Sequence, residues 1–291
     1  FEDYFNAMKH LLMTRLSLIS FALLGTILAS TAVHSLNGPW VELPNAKARL
    51  VVTGDPMSGQ LQAGLEIRLD EDWKTYWRFP GDSGIPPILD WSEAKNVATT
   101  NLRFPAPQRF KDEYGQSVGY KHSVVFPIDI ELTRIGRPTV LNVQAILGIC
   151  REVCIPVTEQ FSLKVPPIFV ASQEAKEALT KANEKLPEQL SESGKTIKHN
   201  VVIESEKREG KTPLLSIWIP LELKVDDVFI EGPETWFLSL PNKTSVDGMH
   251  SLWQLPLDGT PVGKEPWGTQ MRVTMVGADR SFEHTFTLDA P

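Results

Sequence analysis

From Gly59 the chain reads GQLQAGLEIRLD, with Leu61, Ala63, Leu65, Ile67 and Leu69 on alternate positions. A period of two turns one set of side chains toward a core and the other toward water, which predicts a strand. Further short apolar runs, RLVVT, SVVFPIDIEL, TVLNVQAIL and EQFSLKV, are separated by clusters of Gly, Pro, Asn and Asp. Short strands with regular turn signals predict an all-β sandwich. The period changes at SQEAKEALTKANEKLPEQL, where Ala175, Ala178, Leu179, Ala182 and Leu186 recur at helical spacing. Ser172 is placed to cap, acidic residues occupy the first turn and Pro187 limits the end, so a helix of about four turns is predicted. Beyond it strands resume in TIKHNVVIES, LLSIWIP, TWFLSL, MRVTMV and SFEHTFTL, the last with Phe282, Phe286 and Leu288 on one face. The expected organisation is mainly β: one sandwich over 40–167, a linker helix in 168–194 and a second sandwich over 195–291. No repeat motif relates the two β blocks, and the second is expected to support the first or bind a partner.

Length and composition fit this reading. The chain has 291 residues, 42% hydrophobic and 22% charged, enough for two domains that each bury a core. The formal net charge is −7 and no dense Lys/Arg stripe is present, which argues against nucleic acid and anionic lipid as partners. At the N-terminus Lys9, His10 and Arg15 precede the apolar run LSLISFALLGTILAS and the small residues Ser30, Thr31 and Ala32. That order predicts a secretory signal peptide within 1–32. The run of about 15 residues is shorter than the ~20 that span a bilayer as a helix. The opening FEDYFNA has no methionine, and translation is expected to start at Met8 or Met13. An exported protein without a later membrane span is the expectation.

Export changes how the two cysteines read. Cys150 and Cys154 lie in LGICREVCIPV with three residues between them, and outside the cytosol an even count suggests pairing. One reading is a structural disulfide, although closing a ring of about five residues contributes only ~2 kcal/mol in the loop-entropy picture. A second is Cu(I) held by two thiolates, but Ile155 intervenes before Pro156, and none of His122, His199, His250 or His284 stands at ligand-like spacing. A third is redox exchange, in which one sulfur attacks as thiolate and the other resolves the mixed disulfide. Two cysteines flanking a three-residue turn meet that need, with Arg151 close enough to favour a thiolate. Spacing alone leaves all three readings open.

The surrounding motifs carry a resemblance. KDEYGQSVGYKHSVVFPIDI, followed by LGICREVCIPV, resembles the periplasmic N-terminal domain of transmembrane thiol:disulfide reductases of the DsbD/ScsB type, and WKTYWRFPGDSGIPP is similar to a signature of the ScsB-like branch. The resemblance implies immunoglobulin-like sandwiches and protein-disulfide reductase activity, with Cys150 and Cys154 as the catalytic redox pair. It implies Tyr114 as a capping aromatic, with Asp112 and Glu113 as acidic residues that tune the sulfurs. Carboxylates beside a thiol disfavour its thiolate, and an aromatic lid shields a reduced pair from stray oxidants. Implied partners are a membrane-embedded thiol reductase as electron donor and a periplasmic thioredoxin-like acceptor serving disulfide isomerisation, cytochrome c maturation or copper tolerance. Better-known members place five residues between the cysteines and two aromatics in the cap, whereas this chain has three residues and Tyr114 alone before Gly115. The membrane and thioredoxin domains have no counterpart in the sequence, so a separate protein is expected to supply the electrons.

Other chemistries find little support. Gly81-Asp82-Ser83-Gly84 resembles the nucleophile loop of chymotrypsin-like proteases, but only His10, in the expected signal, and His34, beside its cleavage site, precede Ser83, leaving no general base in the required order. The glycines and prolines are expected to shape a rigid turn, with Trp73, Trp77 and Trp91 as core or edge aromatics. No phosphate-cradling loop, dinucleotide fingerprint or zinc-ligand set is present, and no cofactor is expected.

Overall fold

A computed structural model describes residues 35–112, 115–190, 198–202, 213–261 and 266–290. The expected signal segment lies outside these residues, as do Glu113 and Tyr114. Residues from Ser35 onward form one compact unit, and no helix among the described residues is long and apolar enough to cross a membrane. The chain is mainly β, as its alternation predicts.

The first block holds β1 (Ser35–Leu36), β2 (Val41–Leu43), β3 (Ala46–Asp55), β4 (Gln60–Leu69), β5 (Lys74–Gly81), β6 (Ile88–Asp90) and β7 (Val97–Leu102). It continues with β8 (Gln108–Asp112), β9 (Gly115–Lys121), β10 (Ser123–Leu132), β11 (Thr139–Cys150), β12 (Cys154–Val165) and β13 (Val170–Ala171). One sheet runs β2-β3-β4-β10-β7; the facing sheet runs β12-β11-β5-β9-β8, with β6 also paired to β11. Alternation decides what lies between them. Leu50, Leu65, Ile67, Phe126 and Ile128 face inward from the first sheet, and Trp77, Leu141, Leu147 and Ile149 from the second. Each large apolar side chain so buried contributes about 1.5–3 kcal/mol.

The helix spans Gln173–Glu184, with the Ser172 hydroxyl accepting from the Ala175 amide at 2.9 Å. Ala175 and Leu179 pack with Val51 on the outer face of the five-stranded sheet. It ends before Leu186, short of the predicted four turns, because the residue preceding Pro187 is driven out of helical geometry.

The second block adds β14 (Glu188–Gln189), β15 (Lys198–Val202), β16 (Leu214–Pro220), β17 (Val225–Glu231), β18 (Asn242–Val246), β19 (His250–Pro256), β20 (Gln270–Gly277) and β21 (Ser281–Thr287). Its sheets run β14-β21-β20-β17 and β15-β16-β19-β18, closing over Leu215, Ile217, Val228, Ile230, Val273 and Met275. In β17 the consecutive run Val228-Phe229-Ile230 is entirely buried, as in a strand covered on both faces. Val228 and Ile230 enter their own core, while Phe229 joins the first block's core and sets its ring 5.6 Å from that of Trp77.

Two arginines tie the blocks together. Arg78 donates to Glu231 through Nε at 2.8 Å and Nη2 at 2.7 Å, and also to Glu283 and Thr274. Arg109 donates to Asp227 at 3.0 and 2.7 Å and to the carbonyls of Val228 and Pro241, each at 3.1 Å. These carboxylates find their partners across the interface, beyond the reach of any local pattern.

Candidate redox site

The β11–β12 hairpin pairs without interruption from Thr139↔Val165 to Cys150↔Cys154. With Leu147 and Ile149 committed to the core, alternation turns Gly148 and Cys150 to the outer face of the sheet. Cys154, directly opposite Cys150, emerges on the same face, and the two are joined as a disulfide. The turn Arg151–Val153 is exposed, with the Arg151 guanidinium 5.7 Å from the Trp73 ring. The two cysteines are unequal: the Cys150 residue is 1% exposed, whereas the Cys154 residue is exposed.

Strand β5 supplies the neighbours. Lys74 pairs in register with Cys150, and its buried ammonium donates to Ser117 Oγ at 2.9 Å. A cation one strand away lowers the cost of negative charge on that sulfur. Two residues further along the same face, the Tyr76 hydroxyl lies 3.0 Å from Cys154 Sγ. A disulfide sulfur carries no proton, so the hydroxyl is the donor.

Tyr76 is a large polar-tipped ring only 1% exposed on what would otherwise be an outer sheet face. Two glycines make room for it. A Cβ on Gly148 would stand 2.8 Å from Tyr76 Cδ2, so the ring lies across the bare backbone of β11. A Cβ on Gly84, whose φ of +141° also favours glycine, would run into Cε1 of the same ring. The ring is therefore clasped between β11 and the Pro80–Pro87 loop. That loop exists because the pairing of β5 with β9 shifts between Tyr76 and Gly81, and β6 takes the place beside β11 with Ile88 opposite Ile146. Asp82 anchors the loop to the start of β9: its amide donates to the Gln116 carbonyl at 2.9 Å and its Oδ2 accepts from the Gln116 amide at 2.8 Å.

Of the residues expected at the site, Cys150 and Cys154 are together. Asp112 ends β8 and pairs with Gly115; its side chain, like Glu113 and Tyr114, lies outside the described residues. Trp77 is in the core as expected, with Trp73 and Trp91 partly buried at its margin. Sequence reasoning passed over Tyr76, Lys74 and Gly148, and read Asp82 and Gly84 only as part of a rigid turn. One signal was available. If Trp77 points inward, Lys74 and Tyr76 must share the opposite face, which is also that of the cysteines. Among the described residues no group of three or more His, Cys, Asp or Glu is placed to hold a metal ion.

Comparison with known proteins agrees with this fold. The family described as thiol:disulfide interchange protein DsbD, N-terminal, matches residues 43–166. The crystal structure of the N-terminal periplasmic domain of ScsB from Proteus mirabilis superposes with a TM-score of 0.68 at 20% identity, covering 89% of this chain and 100% of that one. This likeness is one of fold, and it extends past the family match into the second block. A conserved domain protein from Bacillus anthracis, at 11% identity and a TM-score of 0.24 over 88% of this chain and 91% of that one, carries no argument. No curated protein sequence gives a significant match.

Proposed function

We propose that the protein, whose residues 43–166 match the DsbD N-terminal family and whose fold resembles that of the ScsB N-terminal periplasmic domain, is an exported protein-disulfide reductase of the thiol:disulfide interchange type. It relays electrons through Cys150 and Cys154 in the periplasm, from a membrane-embedded thiol reductase to a thioredoxin-like acceptor. The recipient pathway is disulfide isomerisation, cytochrome c maturation or copper tolerance. Region 40–167 is the redox domain, and 195–291 is a second sandwich that braces it through Arg78 and Arg109.

The observation that carries this reading is the inequality of the two sulfurs, with a buried tyrosine hydroxyl directed at the exposed one. A donor thiolate can reach only Cys154 Sγ. Its attack forms a donor–Cys154 disulfide and expels Cys150 as thiolate beside the Lys74 ammonium. The donor's second thiolate then attacks the donor's own sulfur, releasing Cys154 as thiolate, which the Tyr76 hydroxyl stabilises by hydrogen bonding. Two electrons now reside on the pair as two thiolates, which take up protons from solvent according to pH. In the second half, Cys154 attacks the acceptor's disulfide, and Cys150 attacks Cys154 Sγ to release the acceptor as a dithiol and restore the starting bond. Asp112, Glu113 and Tyr114 are assigned the cap by resemblance. The strand end that follows them is held by Asp82 of the loop covering Tyr76.

Trapping tests the relay. A Cys150→Ser variant expressed in the native compartment retains the exposed attacking sulfur and is expected to accumulate mixed disulfides with its partners. Cys154→Ser is expected to accumulate far fewer. Absence of any mixed disulfide from both variants would leave a structural staple as the better account.

A further inference from the structure

The Pro80–Ile88 segment that clasps Tyr76 has a second side. It forms one wall of a groove of about 1110 Å³ whose other wall is the Gly232–Ser239 segment and the Asp258–Gly259 turn of the second sandwich. Two large apolar side chains stand open at this groove, Phe237 at 83% exposure and Ile88 at 53%. Phe237 is held rather than loose. Its neighbours Trp236 and Leu238 are buried, and its amide donates to the Gly259 carbonyl at 2.9 Å. A rigid aromatic presented to solvent on a fixed backbone costs little ordering entropy when it is covered, the property of interface anchors.

The surrounding charge is of one sign. Asp82, Glu234 and Asp258 line the groove and are exposed, while the lining arginine, Arg78, is committed to Glu231 and Glu283. A second copy of a chain with formal charge −7 would bring acid against acid. The complementary occupant is a segment that offers an apolar side chain with Lys or Arg beside it.

Position identifies the segment's owner. Ile88 pairs with Ile146, four residues along β11 from Cys150, a span of about 14 Å at strand rise. A protein interface of ordinary size covers about 800 Å² on each partner, a disc roughly 16 Å in radius. Cys154 lies one strand further, on β12, so the near wall of the groove at Ile88 falls at the rim of a footprint centred on Cys154, and a partner reaching that cysteine covers the groove by extending its contact past β6. We propose that the groove is the docking surface for the exchange partner, taking a loop of apolar and basic residues that flanks the partner's reacting cysteine. The proposal rests on the relay reading above and adds the surface that selects the partner.

The test uses the full-length Cys150→Ser trap in its native compartment, alone and combined with Phe237→Ala or with Glu234→Lys and Asp258→Lys. Mixed-disulfide yield is read on non-reducing gels. In parallel, the same groove changes are placed in the chain with both cysteines, and the rate of disulfide reduction by dithiothreitol is measured. That small thiol needs no docking surface and reports the sulfurs alone. Both groove changes are expected to lower trapped complex about fivefold or more, with dithiothreitol rates remaining within about twofold of the parent. Unchanged trapping in both groove variants overturns the proposal, as does a dithiothreitol rate that falls in step with trapping. A parent trap that captures nothing instead removes the relay itself, and the docking role with it, so the two failures are distinguishable.

Discussion

Replacing Tyr76 by Phe removes one oxygen and leaves the ring clasped between Gly84 and Gly148. The hydroxyl meets a neutral sulfur when Cys154 is oxidised and a thiolate when the pair is reduced and deprotonated. Hydrogen bonds to charged groups contribute about 1.5–3 kcal/mol and neutral ones about 0.5–1.5. The difference, about 1.4 kcal/mol, is what the hydroxyl adds in favour of the Cys154 thiolate, equivalent to a tenfold change in its population. Alkylation of the reduced protein by iodoacetamide, followed site by site by mass spectrometry across neutral pH, reads that population. Tyr76→Phe is expected to slow alkylation of Cys154 at pH 7 about tenfold and to move its pH profile to the alkaline side. Where pH is high enough for the thiolate to predominate, the reduced form loses this stabilisation in full, and the reduction potential there should become more negative by about 30 mV. A superimposable alkylation profile together with an unchanged potential would show that the contact at 3.0 Å does not reach the chemistry.

Gly148→Ala places a methyl 2.8 Å from the Tyr76 ring and 3.0 Å from the Ile85 carbonyl; it should cost about 1–3 kcal/mol in thermal or denaturant unfolding and slow Cys154 alkylation although Tyr76 remains. Arg78→Ala strands Glu231 and Glu283 at the interface between the sandwiches and should lower stability by about 3–5 kcal/mol, with Arg78→Lys recovering only part because it cannot form the bidentate pair. For Glu283, burial pushes the carboxyl upward, but the Arg78 charge and the hydrogen bonds from Gln189 and Arg78 outweigh this and hold it below its ordinary 4.5. A depressed carboxyl contributes stability that is present above pH 4.5 and lost as pH falls through its lowered value. The melting temperature should therefore not fall on this group's account between about pH 8 and 5 and should drop below about 4.5, with a shallower acid limb in Glu283→Gln.

What the sequence disclosed follows from which interactions are local. The alternation of Leu61 to Leu69 is a property of one strand, and those positions face the core as expected. The helical period at Ala175, Leu179 and Ala182 is equally local, and only the far end moved, where Pro187 acts on its predecessor. The cysteine pair was legible because a three-residue turn brings its own flanks together. Tyr76 was not, because its partner lies 78 residues away in sequence and its burial depends on glycines from two other segments. Arg78 and Arg109 were illegible for the same reason: each reaches carboxylates more than a hundred positions further along the chain. The run Val228-Phe229-Ile230 did carry a hint of the interface, since three consecutive buried apolar residues require cover on both faces.

The same geometry bears on whether the disulfide is a staple. It closes a ring between residues four apart, which constrains the unfolded chain by only about 2 kcal/mol, and it sits at the end of a hairpin already held by twelve successive register pairs. A staple gains nothing from leaving one sulfur in solvent. Nor does it gain from the two glycines at the ring, of which Gly148, in mid-strand, costs roughly 0.5–1 kcal/mol of backbone entropy relative to alanine. Their shared consequence is at Tyr76: without them the ring cannot lie flat over β11 with its hydroxyl on Cys154 Sγ. A hydrogen bond to a sulfur is weak when that sulfur is neutral and roughly twice as strong when it is an anion. The arrangement therefore stabilises the disulfide state least and the opened state most, which is the ordering a bond that must break requires.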